Sequence, residues 1–203
     1  AAHLSHEIRN PIGSVSLLAS ALLKKVDPTI KPLVIEIKKS IWRVERIIKA
    51  TLLFTKNVQI NPSSFYLDKF IKECEKAIEH YSYTKEVSFH FELPHLEIKG
   101  DFELLNLVLQ NFIFNAIDAI EESDNETGTI ILSYQEDKEF VVLHVKDDGK
   151  PIENKNILFE PFKTTKTKGN GLGLALSLQI IQAHNGKIEL LEETKGFSIK
   201  IAR

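Results

Sequence analysis

Two runs of apolar residues, with steps that alternate between three and four positions, fill the beginning of this 203-residue chain. The first run ends before Val26-Asp27-Pro28, which is a turn signal, and the second run follows it. Such spacing is the heptad seam of helices that pack side by side at shallow angles. The seam positions are Leu4, Ile8, Pro11, Val15, Leu18 and Leu22 in the first run, and Ile30, Leu33, Ile37, Ile41, Val44, Ile48 and Leu52 in the second. The sequence therefore predicts an all-α helical hairpin.

A single hairpin cannot cover its own apolar stripe, but two hairpins can do so as a four-helix bundle. We therefore predict a homodimer formed through residues 1–58.

After Asn61-Pro62 the pattern changes, and residues 59–203 alternate helical and strand segments in the manner of an α+β two-layer sandwich. We expect helices at 68–80, 102–122 and 171–184, and strands at 87–93, 129–134, 140–145, 187–192 and 196–201. The polar stretch 149–170 is too long for an ordinary connection and is expected to be functional or mobile.

Charge and composition narrow the classes of partner. Lys and Arg total 26 against 28 Asp and Glu, for a net charge of −2, which offers no long basic face for nucleic acid and no polybasic membrane tether. No stretch approaches the ~20 apolar residues of a membrane span. We predict no nucleic-acid partner, no membrane contact by this segment and a cytoplasmic location.

The only cysteine, Cys74, excludes an intramolecular disulfide and is expected to be a buried helix thiol. Because the chain lacks Met and begins inside a predicted helix, we expect it to be a piece of a longer protein.

A histidine lies on the outer side of the first predicted helix. His6 occupies heptad position f, farthest from the seam, with Glu7 beside it and Asn10 one turn further on. A carboxylate can hold the proton on one ring nitrogen and leave the other nitrogen free to attack. Neutral imidazole is available near pH 7 because its unperturbed pKa is ~6.5. Taken alone, these residues also fit an ordinary surface histidine.

Two further patterns suit a nucleotide. Asn111 and Asn115 are four residues apart on the predicted long helix, so their amides are expected to emerge on one face. Amide oxygens suit Mg²⁺, which keeps several waters while it bridges phosphates. Glycines at 169, 171 and 173 lead into the last helix, where free backbone N–H groups and the helix dipole attract phosphate oxygens.

Four segments, in one order, resemble the motifs of the sensor histidine kinases, and the resemblance covers residues 3 to about 201. They are the phosphoacceptor box His6-Glu7-Ile8-Arg9-Asn10-Pro11, the asparagine box Asn111-Phe112-Ile113-Phe114-Asn115-Ala116, the adenine box Asp147-Asp148-Gly149-Lys150-Pro151-Ile152, and the lid with its glycine box, Phe159-Glu160-Pro161-Phe162-Lys163-Thr164-Thr165-Lys166 and Gly169-Asn170-Gly171-Leu172-Gly173-Leu174. The resemblance implies that residues 1–58 serve dimerisation and histidine phosphotransfer. It implies that residues 59–203 are a catalytic ATP-binding domain of the histidine kinase, gyrase and chaperone type. The short lid, Asn10 and the string from Asn115 to Ala119 are most similar to the nitrogen-regulatory subclass, which includes soluble kinases that control flagellar genes.

The same resemblance implies a role for each motif. His6 is the residue phosphorylated, Glu7 the base, and Asn10 the residue that orients water to dephosphorylate the partner. ATP and Mg²⁺ are the cofactors, with Asn115 as the metal ligand and Asp147 as the acceptor for the adenine amino group. The other implied nucleotide contacts are Asn111, Ala119, Gly149, Ile152, Thr164, Thr165, Lys166, Gly169, Gly171, Leu172 and Gly173. The implied partner is a response-regulator receiver domain, whose aspartate accepts the phosphoryl group.

Three positions depart from related patterns. Pro151 stands where the family usually has a second glycine, and Asp118 stands where a lysine is common elsewhere in the family. Asn111 stands where gyrase-like and chaperone-like ATPases place the glutamate that activates water, and an amide cannot act as a general base. ATP is therefore expected to be spared from hydrolysis. Two alternatives stay open, an ATPase of the gyrase or chaperone type and a non-catalytic dimeric scaffold.

Overall fold

A computed structural model of the chain describes residues 2–54, 58–81, 83–164 and 171–203; the side chains of residues 2–10, Arg46 and His80 are outside this description. The chain divides into two compact units, Ala1–Asn57 and Val58–Arg203. Among the described residues, the first unit contains helices and no strands, and the second combines helices with strands. Among the described residues, none of the helices has both the length and the apolar character needed to cross a bilayer.

The first unit is a helical hairpin of α1 (Ala2–Leu23) and α2 (Lys31–Phe54). The turn between them is organised by Asp27, whose Oδ1 accepts from the amide and the hydroxyl of Thr29 at 2.9 and 2.7 Å. The Asp27 carbonyl oxygen accepts from the amide of Ile30, which precedes α2, at 2.9 Å and from that of Lys31, the first residue of α2, at 3.2 Å. The bond from the Thr29 amide, followed by that from its hydroxyl, lowers the pKa of the Asp27 carboxyl group. The predicted helical hairpin is confirmed.

Within the single chain, many side chains of the two seams are exposed. Leu18 is 68% exposed, Leu33 65% and Val15 47%, whereas Ala19, Val34 and Ala50, which lie outside the two seams, are buried. The hairpin therefore closes on residues beside the seams and leaves a stripe of apolar seam side chains uncovered. The four-helix bundle stays a prediction.

The second unit contains seven strands and three helices among its described residues. The strands are β1 (Ser63–Tyr66), β2 (Glu86–Glu92), β3 (Glu97–Gly100), β4 (Thr127–Glu136), β5 (Phe140–Asp147), β6 (Lys187–Leu190) and β7 (Gly196–Ala202). The helices are α3 (Leu67–His80), α4 (Phe102–Glu121) and α5 (Gly173–Ala183), and a 3-10 turn lies at Lys155–Ile157. All the predicted helices and strands are present, and β1 and β3 are additional.

Five strands form one mixed sheet in the order β2-β4-β5-β7-β6. The outer strand β2 runs parallel to β4, with His90 opposite Ile131, and the remaining neighbours are antiparallel. The short strands β1 and β3 form a separate two-stranded sheet, with Phe65 opposite Ile98. This arrangement, with helices packed on the sheet, confirms the predicted α+β sandwich.

Helix α4 is central to the helical layer and contacts α3, α5, β4 and β5. Twelve of its residues are buried, so this helix supplies a large part of the core of the unit. The largest fully buried side chains in this unit are Leu67, Phe70, Leu109, Phe112, Ile113, Phe114, Ile117, Ile120, Ile130, Leu132, Leu143 and Leu172. Cys74 is also fully buried, as predicted for a helix thiol.

Asp101 fixes the start of α4. Its Oδ1 caps the helix by accepting from the Leu104 amide at 3.0 Å, and its Oδ2 accepts from the Asn61 amide at 2.8 Å. The Asp101 amide donates to Nε2 of buried His184 at 2.9 Å. Because that nitrogen accepts, Nδ1 carries the proton and donates to the Ile180 carbonyl at 2.8 Å. His184 thus links the end of α5 to the start of α4.

Candidate functional site

The two asparagines of α4 have different surroundings. Asn111 is only 3% exposed, and its Nδ2 donates to the Gly173 carbonyl at 3.2 Å and to the Ser177 Oγ at 3.1 Å. The Ser177 hydroxyl in turn donates to the same Gly173 carbonyl at 2.9 Å. Asn115, one turn further along α4, is half-buried. Asn111 is therefore bonded into the first turn of α5, which begins at Gly173.

This arrangement differs from the expectation that both amides face a nucleotide together. Helical periodicity places them on one face of α4, but α5 packs over that face at Asn111. Because the side-chain nitrogen of Asn111 donates to groups of α5, Asn111 joins α4 to α5 in this structure. Direct contact of Asn111 with a nucleotide stays a prediction.

The segment that follows β5 rests on the backbone of α4. Gly149 lies so close to the helix that an added Cβ would be 2.5 Å from the Ala119 carbonyl carbon and the Ile120 nitrogen. The next amide, that of Lys150, donates to the Ala119 carbonyl oxygen at 2.8 Å. Only glycine fits at position 149, so the Asp-Gly pattern here marks a close approach of two backbones. This contact explains how Ala119 and Gly149 come together in the candidate site.

Asp147 ends β5 at the edge of this segment. Its Oδ1 accepts from the Gly149 amide at 3.1 Å and forms an ion pair with the ammonium of Lys195. The Asp147 side chain is 7% exposed and the Lys195 side chain 18% exposed. The carboxylate is thus held in one orientation by a backbone amide and a nearby cation. Ile152, further along the segment, is half-buried.

Before α5, the backbone of Phe162 lies next to the backbone of Gly171. The Phe162 amide donates to the Gly171 carbonyl at 3.2 Å, and both residues have positive φ, 62° and 66°. A Cβ at position 171 would be 2.6 Å from the backbone of Phe162 and Lys163, so glycine is required there. Thr164 is exposed, and Leu172, which is 2% exposed, precedes the first residue of α5, Gly173. The predicted contacts Thr165, Lys166 and Gly169 lie outside the described residues.

The candidate phosphoacceptor segment lies on α1. His6, Glu7 and Asn10 belong to the continuous helix Ala2–Leu23, which includes Pro11. Their side chains lie outside the described part of the chain. Their predicted roles therefore stay predictions.

Three residues of the site were not indicated by the sequence patterns. Ser177 joins Asn111 and Gly173, and Lys195 pairs with Asp147 from the turn between β6 and β7. Tyr81 donates to Asp118 Oδ1 at 2.5 Å, and its ring packs on Phe114 with centroids 4.5 Å apart. The bond gives Asp118 a structural partner at the position where a lysine is common elsewhere in the family. Ser177 has a weak local signal, since it lies one turn after Gly173, whereas Lys195 and Tyr81 reach their partners only through the tertiary fold.

Two family descriptions match the chain. Residues 1–59 match the His Kinase A (phospho-acceptor) domain, and residues 100–202 match the histidine kinase-, DNA gyrase B- and HSP90-like ATPase. The chain is 52% identical over 202 residues to the sensor histidine kinase FlgS of Helicobacter pylori, covering 98% of this chain and 53% of that protein. It thus spans about half the length of this curated relative.

Solved structures agree with the fold described above. The catalytic domain of the histidine kinase ThkA superposes with a TM-score of 0.60 at 31% identity, covering 71% of this chain and 96% of that domain. The Acinetobacter baumannii histidine kinase AdeS superposes with a TM-score of 0.64 over 97% of both chains. At 23% identity, this second likeness concerns the fold alone.

Proposed function

The chain belongs to the sensor histidine kinase family, and we propose that it transfers the γ-phosphoryl group of ATP to its own His6 and then to an aspartate of a response-regulator receiver domain. In this proposal, residues 1–58 provide the phosphoacceptor and the dimer contact. Residues 59–203 bind and position ATP.

One observation carries the proposal for the nucleotide site: the three motif segments of the second unit meet on α4. Gly149 packs on the backbone at Ala119, and the first turn of α5 is bonded to Asn111, eight residues earlier on the same helix. Between these two contacts lies half-buried Asn115. The segment of the candidate adenine acceptor, the candidate metal-binding amide and the start of α5 are thus all attached to one helix, which supports a role in positioning a nucleotide for phosphoryl transfer.

The residues present suit a nucleotide with its magnesium ion. Mg²⁺ takes one or two protein oxygens and completes its shell with water and phosphate oxygens, which fits a single half-buried amide such as Asn115. When bound, the ion would neutralise charge on the phosphates. Asp147 would accept a hydrogen bond from the adenine amino group, and the N–H groups at the start of α5 would bind phosphate oxygens. Thr164, Thr165, Lys166, Gly169, Gly171 and Leu172 would line the phosphate end, and Ile152 would lie near the base.

The chemical step is an in-line displacement. An imidazole nitrogen of His6 attacks the γ-phosphorus, the bond from that phosphorus to the β,γ-bridging oxygen breaks, and ADP leaves. Glu7 accepts the proton from the other ring nitrogen. The phosphoryl group then passes to a carboxylate oxygen of the receiver aspartate, which regenerates His6. Asn10 would orient water for the later dephosphorylation of that aspartate.

The chemistry of Asn111 supports transfer over hydrolysis. An amide at this position cannot remove a proton from water, and in this structure its nitrogen is bonded to Gly173 and Ser177. An ATPase of the gyrase or chaperone type would need a general base here. ATP is therefore kept for His6.

The uncovered stripe of the hairpin supports a homodimer. Val15, Leu18, Leu22, Leu33 and Ile37 are all between 47% and 68% exposed within one chain. These residues belong to the two seams, so a second hairpin would bury them as a four-helix bundle. Burying such side chains is favourable by roughly 1.5–3 kcal/mol each when burial is complete.

The direct test is labelling with γ-³²P-ATP and Mg²⁺. Wild type should retain label that is acid-labile and base-stable, as expected for phosphohistidine, and His6→Gln should retain none. His3→Gln, a change to a histidine of the same helix, is the matched control and should label normally. Acid-stable label, or equal label on His6→Gln, would discard the proposal. Sustained ATP turnover by His6→Gln would favour the ATPase, and nucleotide binding without any label would favour the scaffold.

A further inference from the structure

A lysine from outside the sequence motifs contacts the candidate adenine acceptor. Lys195 precedes β7, and its ammonium pairs with Oδ1 of Asp147, the last residue of β5. The two side chains are 18% and 7% exposed, so this pair is largely withdrawn from solvent. It differs in this respect from the exposed pair of Lys150 with Glu153, whose side chains are 48% and 59% exposed.

The sheet fixes the position of Lys195 relative to Asp147. The Asp147 amide is 3.4 Å from the Lys195 carbonyl oxygen and donates to it. The next residue, Gly196, is so close to β5 that an added Cβ would be 2.4 Å from the Val145 carbonyl oxygen. The backbone of Lys195 therefore cannot move away from Asp147 without opening the pairing of β5 with β7. Only the Lys195 side chain can adjust.

A buried carboxylate that binds a neutral base loses solvation and gains no counter-charge from that base. Adenine carries no charge, so a base that covers Asp147 would remove water without supplying a counter-charge. An ionised carboxylate withdrawn from water is costly unless it is paired and hydrogen-bonded. The ammonium of Lys195 supplies the missing charge from the side of the sheet.

One carboxylate can serve all these donors together. Ionised Asp offers about four lone-pair sites on its two oxygens. The Gly149 amide and the Lys195 ammonium both bind Oδ1. A carboxylate can therefore accept from a purine amino group while it stays bonded to an amide and an ammonium.

We propose that Lys195 is a positioning residue for nucleotide selection, which pairs with Asp147 so that a charge-balanced carboxylate, held in one orientation, accepts from the 6-amino group of the purine. This inference rests on the proposed function, in which Asp147 contacts adenine. It extends that function by assigning selection of the base to an ion pair between β5 and the β6–β7 turn.

The test measures ADP and inosine diphosphate binding to the full chain by calorimetry. Lys195→Met should weaken ADP binding by about tenfold or more, equivalent to about 1.4 kcal/mol, and should reduce the preference for ADP over the 6-oxo nucleotide. Lys195→Arg should retain most of the affinity because it preserves the pair. Lys200→Met is the matched control, because Lys200 lies on β7 itself and pairs with Glu189 at 2.6 Å, and it should bind ADP as wild type does.

A double-mutant cycle separates this inference from the function on which it rests. If Lys195 acts through Asp147, Lys195→Met should have no further effect on ADP binding in an Asp147→Asn background. An equal loss in both backgrounds, or normal ADP binding by Lys195→Met, would overturn the inference alone. Normal ADP binding by Asp147→Asn would instead remove the adenine role of Asp147. Should Lys195→Met fold poorly, as judged by circular dichroism, Lys195→Gln tests the same loss of charge with a smaller change in polarity.

In kinase assays the split between kinetic constants gives a second readout. Lys195→Met should raise KM for ATP and leave kcat at saturating ATP close to wild type. The reason is that Lys195 acts on the binding of the adenine base, which takes no part in the transfer of the phosphoryl group. A fall in kcat with unchanged KM would contradict a role in base selection.

Discussion

The amide nitrogen of Asn111 lies 3.1 Å from the hydroxyl oxygen of Ser177, and both donate to the carbonyl of Gly173. These three groups form a buried polar cluster between the middle of α4 and the first turn of α5. The helix that holds the metal-binding candidate Asn115 is thereby bonded to the helix whose start is expected to bind phosphate. The cluster sets the distance between these two parts of the site.

Loss of this cluster should reduce both stability and nucleotide binding. Ser177→Ala removes two hydrogen bonds of the hydroxyl, one from Asn111 and one to the Gly173 carbonyl, and we expect the free energy of unfolding of the second unit to fall by about 1–2 kcal/mol. Asn111→Ala should cost at least as much, because it also leaves space in a packed interface. Urea unfolding followed by circular dichroism measures the first effect, with α1 and α2 treated as a separate transition, and ADP titration measures the second.

The two changes should not be additive. Because Asn111 and Ser177 share the Gly173 carbonyl, the double variant should lose less stability than the sum of the single losses. Additive losses would mean that the two side chains act independently, which would contradict the cluster.

Gly149→Ala should selectively impair nucleotide binding. A methyl group at this position would be 2.5 Å from backbone atoms of Ala119 and Ile120, which cannot yield as a flexible side chain can. The segment carrying Asp147 must then shift from α4, and we expect ADP affinity to fall by about tenfold or more. Gly13→Ala in α1 is the control, since an added Cβ there meets nothing within 4 Å. Isothermal calorimetry with ADP compares them, and wild-type affinity in Gly149→Ala would refute the close contact as a requirement.

Periodicity was sufficient to predict the long elements of this fold. The heptad spacing indicated both helices of the hairpin, and the apolar pattern of residues 102–122 indicated α4, because each buried face repeats many times along the chain. The strands β1 and β3 have four residues each and pair only with one another. Segments that short contain too few repeats for a pattern, and their structure depends on a partner more than thirty residues away.

The candidate site divides in the same way. The asparagine, aspartate and glycine positions follow from local motifs, and the close approach of Gly149 to α4 gives a physical reason for one of them. Lys195 and Tyr81 have no such signal. Lys195 reaches Asp147 only because β7 lies beside β5, and Tyr81 reaches Asp118 only because α3 packs against α4. Contacts of this kind depend on strand order and helix packing, which spacing along the chain does not encode.

Cys74 should be unreactive in the folded protein. Burial, with a smaller contribution from Glu75, raises the pKa of its thiol to about 12. At pH 8 the reactive thiolate would then be roughly one part in ten thousand in the folded state, whereas an unperturbed thiol has a pKa of ~8.5. We expect no reaction with Ellman's reagent in native buffer and one equivalent of thiol in 6 M guanidinium chloride. Rapid stoichiometric reaction without denaturant would contradict the burial of this side chain.

His144 should make the stability of the second unit depend on pH. Burial, then the charges of Lys146 and Lys200, lowers the pKa of this histidine. Its Nε2 is 3.0 Å from Gln135 Oε1, and its buried Nδ1 has no hydrogen-bond partner among the described residues, so a second ring proton would be unsatisfied.

The folded-state pKa of His144 is thus below its unfolded value of ~6.5, and the unfolded chain binds the proton first as pH falls. The stabilisation is complete above about pH 6.5 and is lost progressively below it. Urea unfolding between pH 8 and pH 5 should show that His144→Gln loses less stability over this range than wild type does. Parallel pH curves for the two proteins would show that this histidine does not contribute, because the other titrating groups are common to both.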